Sequence, residues 1–400
     1  MPKALSWSDL DLRNVLGEGK AGVVRLAVLK RAFGSLVAGT PVAVKTFKPW
    51  VLEEPGQYER IIRELETGRT INHRNVIKTL SILRSPDGNP ALVMKYYAGE
   101  SLQSLLQRKR ATGDQISLSD GFQIIGALAA GIAAVHKVGC IHRDIKPANI
   151  VLEESNPVIM DFGVVRSSAL PEQTTTGTFL GTLRYSAPEY IFGEECDSSG
   201  DIYSFGAIVY EVFGDRVYLD GADHWAKVVV KKSEPGHSDA APSFYRDLER
   251  RGGLNVAAFI HFILESSLCR RERRCLDLEN LSEACKQRIW EAPFFNLAGK
   301  VVAGWTAEVF GWGSHAGLSV AQIAERVAHD FSAEERGWLF AMLKEHYWES
   351  DISILDSRDL IVSRLEYTPA IRTCVDSGDR WCSIHPAMRL AYRYGLLHPT

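Results

Sequence analysis

Gly17-Glu18-Gly19-Lys20-Ala21-Gly22-Val23-Val24 fits the pattern G-x-G-x-x-G-x-V, in which absent side chains let backbone N–H groups approach phosphate oxygens. The element after the glycines decides how a nucleotide would be held. A dinucleotide-binding fold needs a helix there, whereas Val23 to Leu29 reads as strand, so that fold is excluded. A second cluster, His142-Arg143-Asp144-Ile145-Lys146-Pro147-Ala148-Asn149, carries five specified positions, which arise together by accident in on the order of one chain in ten thousand. Asp161-Phe162-Gly163 lies further along, and Ala187-Pro188-Glu189 closes the series behind Gly181, Thr182 and Tyr185. Any one of these could be a surface turn or a capping residue. Their joint order and spacing cannot be read so.

These residues need elements to hold them. Val23–Val28 and Val42–Phe47 are rich in β-branched residues and bounded by Gly and Pro, so the chain begins with strands. Tyr58 to Thr70 is charged and helix-like. Asn75 to Leu83 and Ala91 to Tyr97 are separated by Ser85-Pro86-Asp87-Gly88-Asn89-Pro90 and read as a hairpin. From Ser101 onward helical patterns dominate, and the change of character falls near Ala98-Gly99. The expected organisation is a β-rich unit over 1–97, a helical unit over 98–295, and a third, mainly helical region over 296–400. Within that third region Val320, Ile323, Ala324, Val327, Ala328 and Phe331 repeat at helical spacing, and Ser332 with Glu335 forms a capping box. A Gly-containing junction between the first two units is a natural place for a ligand cleft.

Composition narrows the partners. The 400 residues carry 46 Lys plus Arg against 49 Asp plus Glu, a net charge of −3, which excludes the polycationic surface of a general nucleic-acid binder. Met1 to Asp9 lack the apolar centre of a secretory signal. The longest apolar stretch, Ile124 to Val135, falls short of the roughly 20 residues that span a bilayer and reads as a buried helix. Seven cysteines contain no CxxC pair, and Cys382 with His385 alone cannot close a tetrahedral zinc site. Free thiols in a reducing cytoplasm are expected.

Taken together, these motifs resemble the eukaryotic-type (Hanks-type) serine/threonine protein kinases over about residues 10–295. The resemblance implies an α+β fold with a β-rich N-lobe, a mainly helical C-lobe and the extra C-terminal helical region. It also implies ATP as phosphoryl donor, with magnesium or manganese. Lys45, in Val42-Ala43-Val44-Lys45, matches the strand lysine that holds the α and β phosphates, and Glu64 the helix glutamate that pairs with it. Gly17, Gly19 and Gly22 would cover the phosphates. Val24, Ala43 and Val151 would enclose adenine beside Met94 at the gatekeeper position, with Lys95 and Tyr97 offering backbone groups. Asp144 matches the catalytic base, Lys146 a γ-phosphate contact, and Asn149 and Asp161 the metal ligands. Asp201 matches an aspartate that braces the catalytic loop.

Lys146 and Asn149 in HRDIKPAN, with Gly181 to Glu189, place the resemblance in the serine/threonine branch, so Ser/Thr hydroxyls of proteins are the expected acceptors. Arg143 precedes the base and in the family receives a loop phosphate, which marks Thr174, Thr175, Thr176 and Thr178 as the expected autophosphorylation segment. Arg271, Arg273 and Arg274 are candidates to pair with Glu189. Two positions depart from the family: Gly68 stands where a bulky apolar residue is usual, and Thr79 where Leu is common. An added contact, from residues 296–400 or a partner, is expected to complete the active arrangement. The competing readings are a catalytically silent scaffold, which would have lost one of Lys45, Asp144, Asn149 or Asp161, and a small-molecule phosphotransferase, which would lack the Asp-Phe-Gly and Ala-Pro-Glu stretches.

Overall fold

A computed structural model describes residues 4–19, 22–48, 62, 65–66, 68–161, 183–194, 197–220, 228, 232, 242–271, 274 and 276–288. Residues 296–400 and the proposed phosphorylation segment at Thr174–Thr178 lie outside these. The described residues fall into two compact units. One comprises residues up to 114 with 127–205, and the other 115–126 with the residues from 206 onward.

In the first unit, β1 (Leu10–Glu18), β2 (Gly22–Leu29), β3 (Pro41–Phe47), β4 (Thr79–Arg84) and β5 (Pro90–Lys95) form an antiparallel sheet in the order β1-β2-β3-β5-β4. Because side chains alternate along a strand, β3 sends Val42 and Val44 to one face and Ala43, Lys45 and Phe47 to the other. Each face has its own core. Val42 and Val44 pack with Leu10, Ala27, Leu29, Ala91 and Val93, whereas Ala43 and Phe47 pack with Ile77, Leu92 and Met94. The hairpin read from the turn Ser85–Pro90 is β4–β5, with Gly88 at φ 81°; residues 75–78, read as strand, form instead the approach to β4. The described residues among 62–70 are helical.

A small sheet not foreseen in the helical region joins β6 (Glu100–Ser101), β7 (Ile150–Glu153) and β8 (Asn156–Ile159). Strands of two to four residues are too short for alternation to be visible in sequence. Gly99 permits this sheet to form: a Cβ there would lie 2.1 Å from the Leu152 carbonyl oxygen and 2.8 Å from its carbon. Backbone cannot yield as a side chain can. Gly99→Ala is expected to cost about 1–3 kcal/mol by overpacking, read as a lower denaturant midpoint at unchanged m-value.

Helix α1 (Leu102–Thr112) starts at Ser101, whose hydroxyl accepts the Ser104 N–H, and ends at Gly113 in the left-handed region. Helix α2 (Leu118–Lys137) begins six residues before the apolar stretch, because the Ser117 hydroxyl accepts the Asp120 N–H at 3.1 Å. Its 20 residues are long and apolar enough to cross a membrane by length and composition, yet Ile125, Leu128, Ala129, Ile132 and Val135 are fully buried in the protein. Burial is the simpler account of their apolarity. Further helices among the described residues are α3 (Pro188–Ile191), α4 (Ser199–Phe213), α5 (Pro242–Ser267), broken at Gly253 with φ 85°, and α6 (Leu278–Lys286), capped by Asp277.

Candidate active site

The loop that precedes β7 is shaped by one buried carboxylate. Asp201, in the first turn of α4, accepts the backbone N–H groups of His142 and Arg143, each at 2.8 Å, and faces His136 Nε2 at 2.9 Å. Arg143 thereby keeps φ 64°, a conformation that side chains other than glycine adopt at a cost of about 1–2 kcal/mol. The loop is held from both ends. Beyond Arg143, Pro147–Asn149 closes a 3-10 turn, and the Asn149 N–H donates to the Lys146 carbonyl.

This turn gathers three of the predicted residues. Asn149 Nδ2 donates to both the backbone oxygen and Oδ2 of Asp144, each at 2.9 Å, and Lys146 Nζ lies 2.9 Å from the same Oδ2. The Asp144 carboxylate is therefore fixed in orientation while remaining accessible, with 20% of its side chain exposed.

Asp161 is tied to the same loop through its neighbour. His142 Nε2 donates to the Met160 carbonyl at 2.8 Å, and the Met160 N–H donates to the Asn149 carbonyl at 2.8 Å. Asp161 itself sits at φ 44°, and its Oδ1 lies 2.8 Å from Lys45 Nζ, across 116 residues of sequence. Lys45, Asp144, Lys146, Asn149 and Asp161 are thus one connected constellation. Glu64, Phe162 and Gly163 lie outside the described residues.

The apolar predictions converge as well. Ala43, Met94 and Tyr97 share a cluster with Val24 and Val151, and Met94 is 2% exposed in register with Ala43 and Thr79. The Tyr97 hydroxyl accepts the Lys78 N–H at 3.3 Å. Lys95 turns its side chain elsewhere, to Glu153 at 3.1 Å and over the Tyr97 ring at 4.4 Å. Gly17 pairs with Val24, the Gly19 N–H donates to the Gly22 carbonyl, and a Cβ on Gly22 would lie 2.1 Å from the Thr46 oxygen. Of the departing positions, Gly68 is buried and Thr79 is 5% exposed.

His142 is buried, with Nε2–H given to a carbonyl and Nδ1 accepting the Asp144 N–H at 3.3 Å, the neutral tautomer satisfied on both sides. Burial drives its pKa below 6.5, outweighing the nearby carboxylates. For Asp201 burial works upward, but His136 and the His142 backbone N–H hold it below 3.8. Both shifts act in one direction. As pH falls below 6.5 the unfolded chain takes up a proton that folded His142 refuses, and below 3.8 unfolded Asp201 does the same, so stability must fall with acidification. The thermal midpoint, followed from neutral to acid pH, should drop through the first window, and less so in His142→Gln; identical slopes would contradict the assignment.

Sequence reading singled out neither His136 nor Asn75, which position this site. Asn75 Nδ2 donates to the Pro157 carbonyl at 2.8 Å and to Asn156 Oδ1 at 3.0 Å, and its carbonyl accepts from Ile159 N–H, fixing the strand that leads to Asp161. Isolated polar residues give no periodic signal; only a resemblance search over the whole segment could have marked them.

The protein kinase domain family matches residues 10–251. The chain is 32% identical over 245 residues to the serine/threonine-protein kinase PknB of Mycolicibacterium smegmatis, covering 58% of this chain and 37% of that protein. It is 32% identical over 244 residues to the serine/threonine-protein kinase PknA of Mycobacterium tuberculosis, covering 59% and 54% respectively. With PknA of Corynebacterium glutamicum it shares 30% over 219 residues, 53% of this chain and 44% of the relative. The match spans about half the length, or less, of each of these relatives. Its glycine loop, its Asp144 turn and the Lys45–Asp161 pair lie within the matched segment, and the chain belongs to the protein kinase domain family, in its Hanks-type serine/threonine branch.

Proposed function

We propose that the chain transfers the γ-phosphoryl group of ATP to Ser/Thr hydroxyls of proteins. The observation that carries this reading is the constellation of Lys45, Asp144, Lys146, Asn149 and Asp161, drawn from segments up to 116 residues apart. The donor set suits a hard divalent cation: with Asn149 Nδ2 committed to Asp144, its Oδ1 and the Asp161 carboxylate are the oxygens that would hold magnesium or manganese. Such an ion, when bound, neutralises charge on the phosphate oxygens.

The remaining work falls to side chains and backbone. The loop carrying Gly17, Gly19 and Gly22 covers the phosphates, Lys45 holds the α and β groups, and Lys146 meets the γ group. Val24, Ala43, Val151 and Met94 enclose adenine, with backbone groups of Lys95 and Tyr97 fixing its edge. Asp144 orients the acceptor hydroxyl and takes its proton as the new P–O bond forms and the bond to ADP breaks. The transition state is loose, so positioning and fixed charge supply more than proton removal does. Glu64 completes the Lys45 pair in the active arrangement. Autophosphorylation falls among Thr174, Thr175, Thr176 and Thr178, with Arg143 receiving the product. The setting that fits ATP as donor is the cytoplasm.

The test is transfer itself. Purified protein is incubated with γ-labelled ATP and magnesium, alone and with generic protein acceptors, beside Lys45→Met and Asp144→Asn variants. Label on Ser/Thr of protein that disappears in both variants is the expected result. Nucleotide binding without transfer would overturn the proposal in favour of a scaffold, and label confined to small metabolites in favour of a metabolite phosphotransferase.

A further inference from the structure

Glu18 stands between Gly17 and Gly19, and a carboxylate on a loop meant for phosphates is electrostatically out of place. Its Oε1 lies 2.8 Å from Lys48 Nζ, with side chains 60% and 34% exposed. The register shows which side of the sheet this pair occupies. Glu18 pairs with Val23 and Val23 with Thr46, so the three share a face, and Lys48, two residues beyond Thr46, returns to it. Gly17 pairs with Val24 and Val24 with Lys45, on the opposite face. The ion pair therefore sits on the side of the loop away from Lys45. It also crosses a strand, since β1 and β3 are not neighbours and β2 lies between them.

We infer that Glu18 and Lys48 staple the glycine loop to the end of β3 from its outer face, positioning its amides for nucleotide without touching it. This rests on the reading of Gly17–Gly22 as the phosphate site. The backbone ties the loop only to its own hairpin, through the pairs Gly17 with Val24 and Glu18 with Val23 and the Gly19 N–H to the Gly22 carbonyl, while Gly17 and Gly19 offer no side chain that could reach β3. An exposed pair shifts an equilibrium constant by about 1.4- to 5-fold. Opposed charge also holds the Glu18 carboxyl below its ordinary pKa, chiefly through the Lys48 hydrogen bond.

Staple and bare charge make different predictions. If Glu18 merely repelled phosphate and Lys48 screened it, Glu18→Gln would tighten ATP binding and Lys48→Met would weaken it. For a staple both single variants weaken binding, about 2- to 5-fold, and the double variant is no worse than either. The exchange Glu18→Lys with Lys48→Glu recovers most of the loss, while kcat at saturating ATP and the thermal midpoint stay unchanged. Magnesium-ATP titrations of the full chain measure this, and amide hydrogen exchange over residues 17–22 without nucleotide reads the staple directly. Exchange should quicken in both single variants and return in the charge exchange. Opposite signs in the two single variants, additive losses, or unchanged exchange would each overturn the staple. Absence of ATP binding by the wild-type chain would instead sink the phosphate-site reading, and the exchange data would still decide the staple.

Discussion

Asp144→Asn lowers kcat for phosphoryl transfer by about 10²–10⁴-fold, the usual contribution of a positioned general base, while the KM for ATP changes by less than about twofold. The geometry explains the split. Asp144 Oδ2 receives Asn149 Nδ2 and Lys146 Nζ, both donors, so an asparagine amide keeps its oxygen on that side and turns its NH₂ group toward the acceptor hydroxyl. That position then donates where it must accept. Nothing in the apolar cluster around Ala43 and Met94 changes, and Lys45 keeps its partner. Steady-state kinetics with a protein acceptor, together with direct ATP titration, separate the two quantities. A kcat within tenfold of wild type would remove Asp144 from the proton-accepting role, and a parallel loss of ATP affinity would show that the substitution had disturbed the loop instead.

The parts of the site legible in sequence share a physical character. Glycines at fixed offsets, the five specified positions of His142 to Asn149 and the β-branched runs of β2 and β3 are local signals, each confined to a few consecutive residues. The turn at Ser85–Pro90 likewise announced the β4–β5 hairpin. What escaped is long-range. The clasp of Asn75 on Pro157 spans 82 residues, and Lys95 meets Glu153 across 58. Neither residue type nor spacing marks such partners, because the contact exists only after the sheets are assembled. The small sheet β6-β7-β8 escaped for a related reason: its register depends on Gly99 meeting the Leu152 backbone, a steric condition that a glycine in sequence does not disclose. Similarly, the resemblance supplied Asp201 as a brace, but only the structure supplies His136 as its third partner.

That brace carries the largest expected effect on stability. Asp201 is 1% exposed, and its two oxygens collect three donors or donor-capable groups: the N–H groups of His142 and Arg143 and the ring of His136. Asp201→Ala removes the acceptor that these groups share, leaving the His142 N–H buried and the Arg143 N–H and His136 ring partly buried. Each orphaned buried donor costs about 1–3 kcal/mol, and removing one partner of a buried charged network typically costs about 3–5 kcal/mol. The lost acceptor also frees Arg143, whose φ of 64° is held by that contact and whose relaxation would carry Asp144 with it. Against a total stability of about 5–15 kcal/mol the loss is severe. The thermal midpoint should fall by about 6–20 °C, at about 2–4 °C per kcal/mol for a domain of this size. Asp201→Asn separates the charge from the shape. Its amide retains one acceptor oxygen but opposes an NH₂ group to a backbone N–H, so the protein folds with a smaller loss while the Asp144 loop loses its fixed position. Transfer should therefore decline far more than stability does in the asparagine variant, with faster amide exchange at residues 142–149. A midpoint within about 2 °C of wild type in Asp201→Ala, less than one kcal/mol at this size, would show that the loop is held by its other contacts, the His142 bond to Met160 and the Asn149 bonds to Asp144.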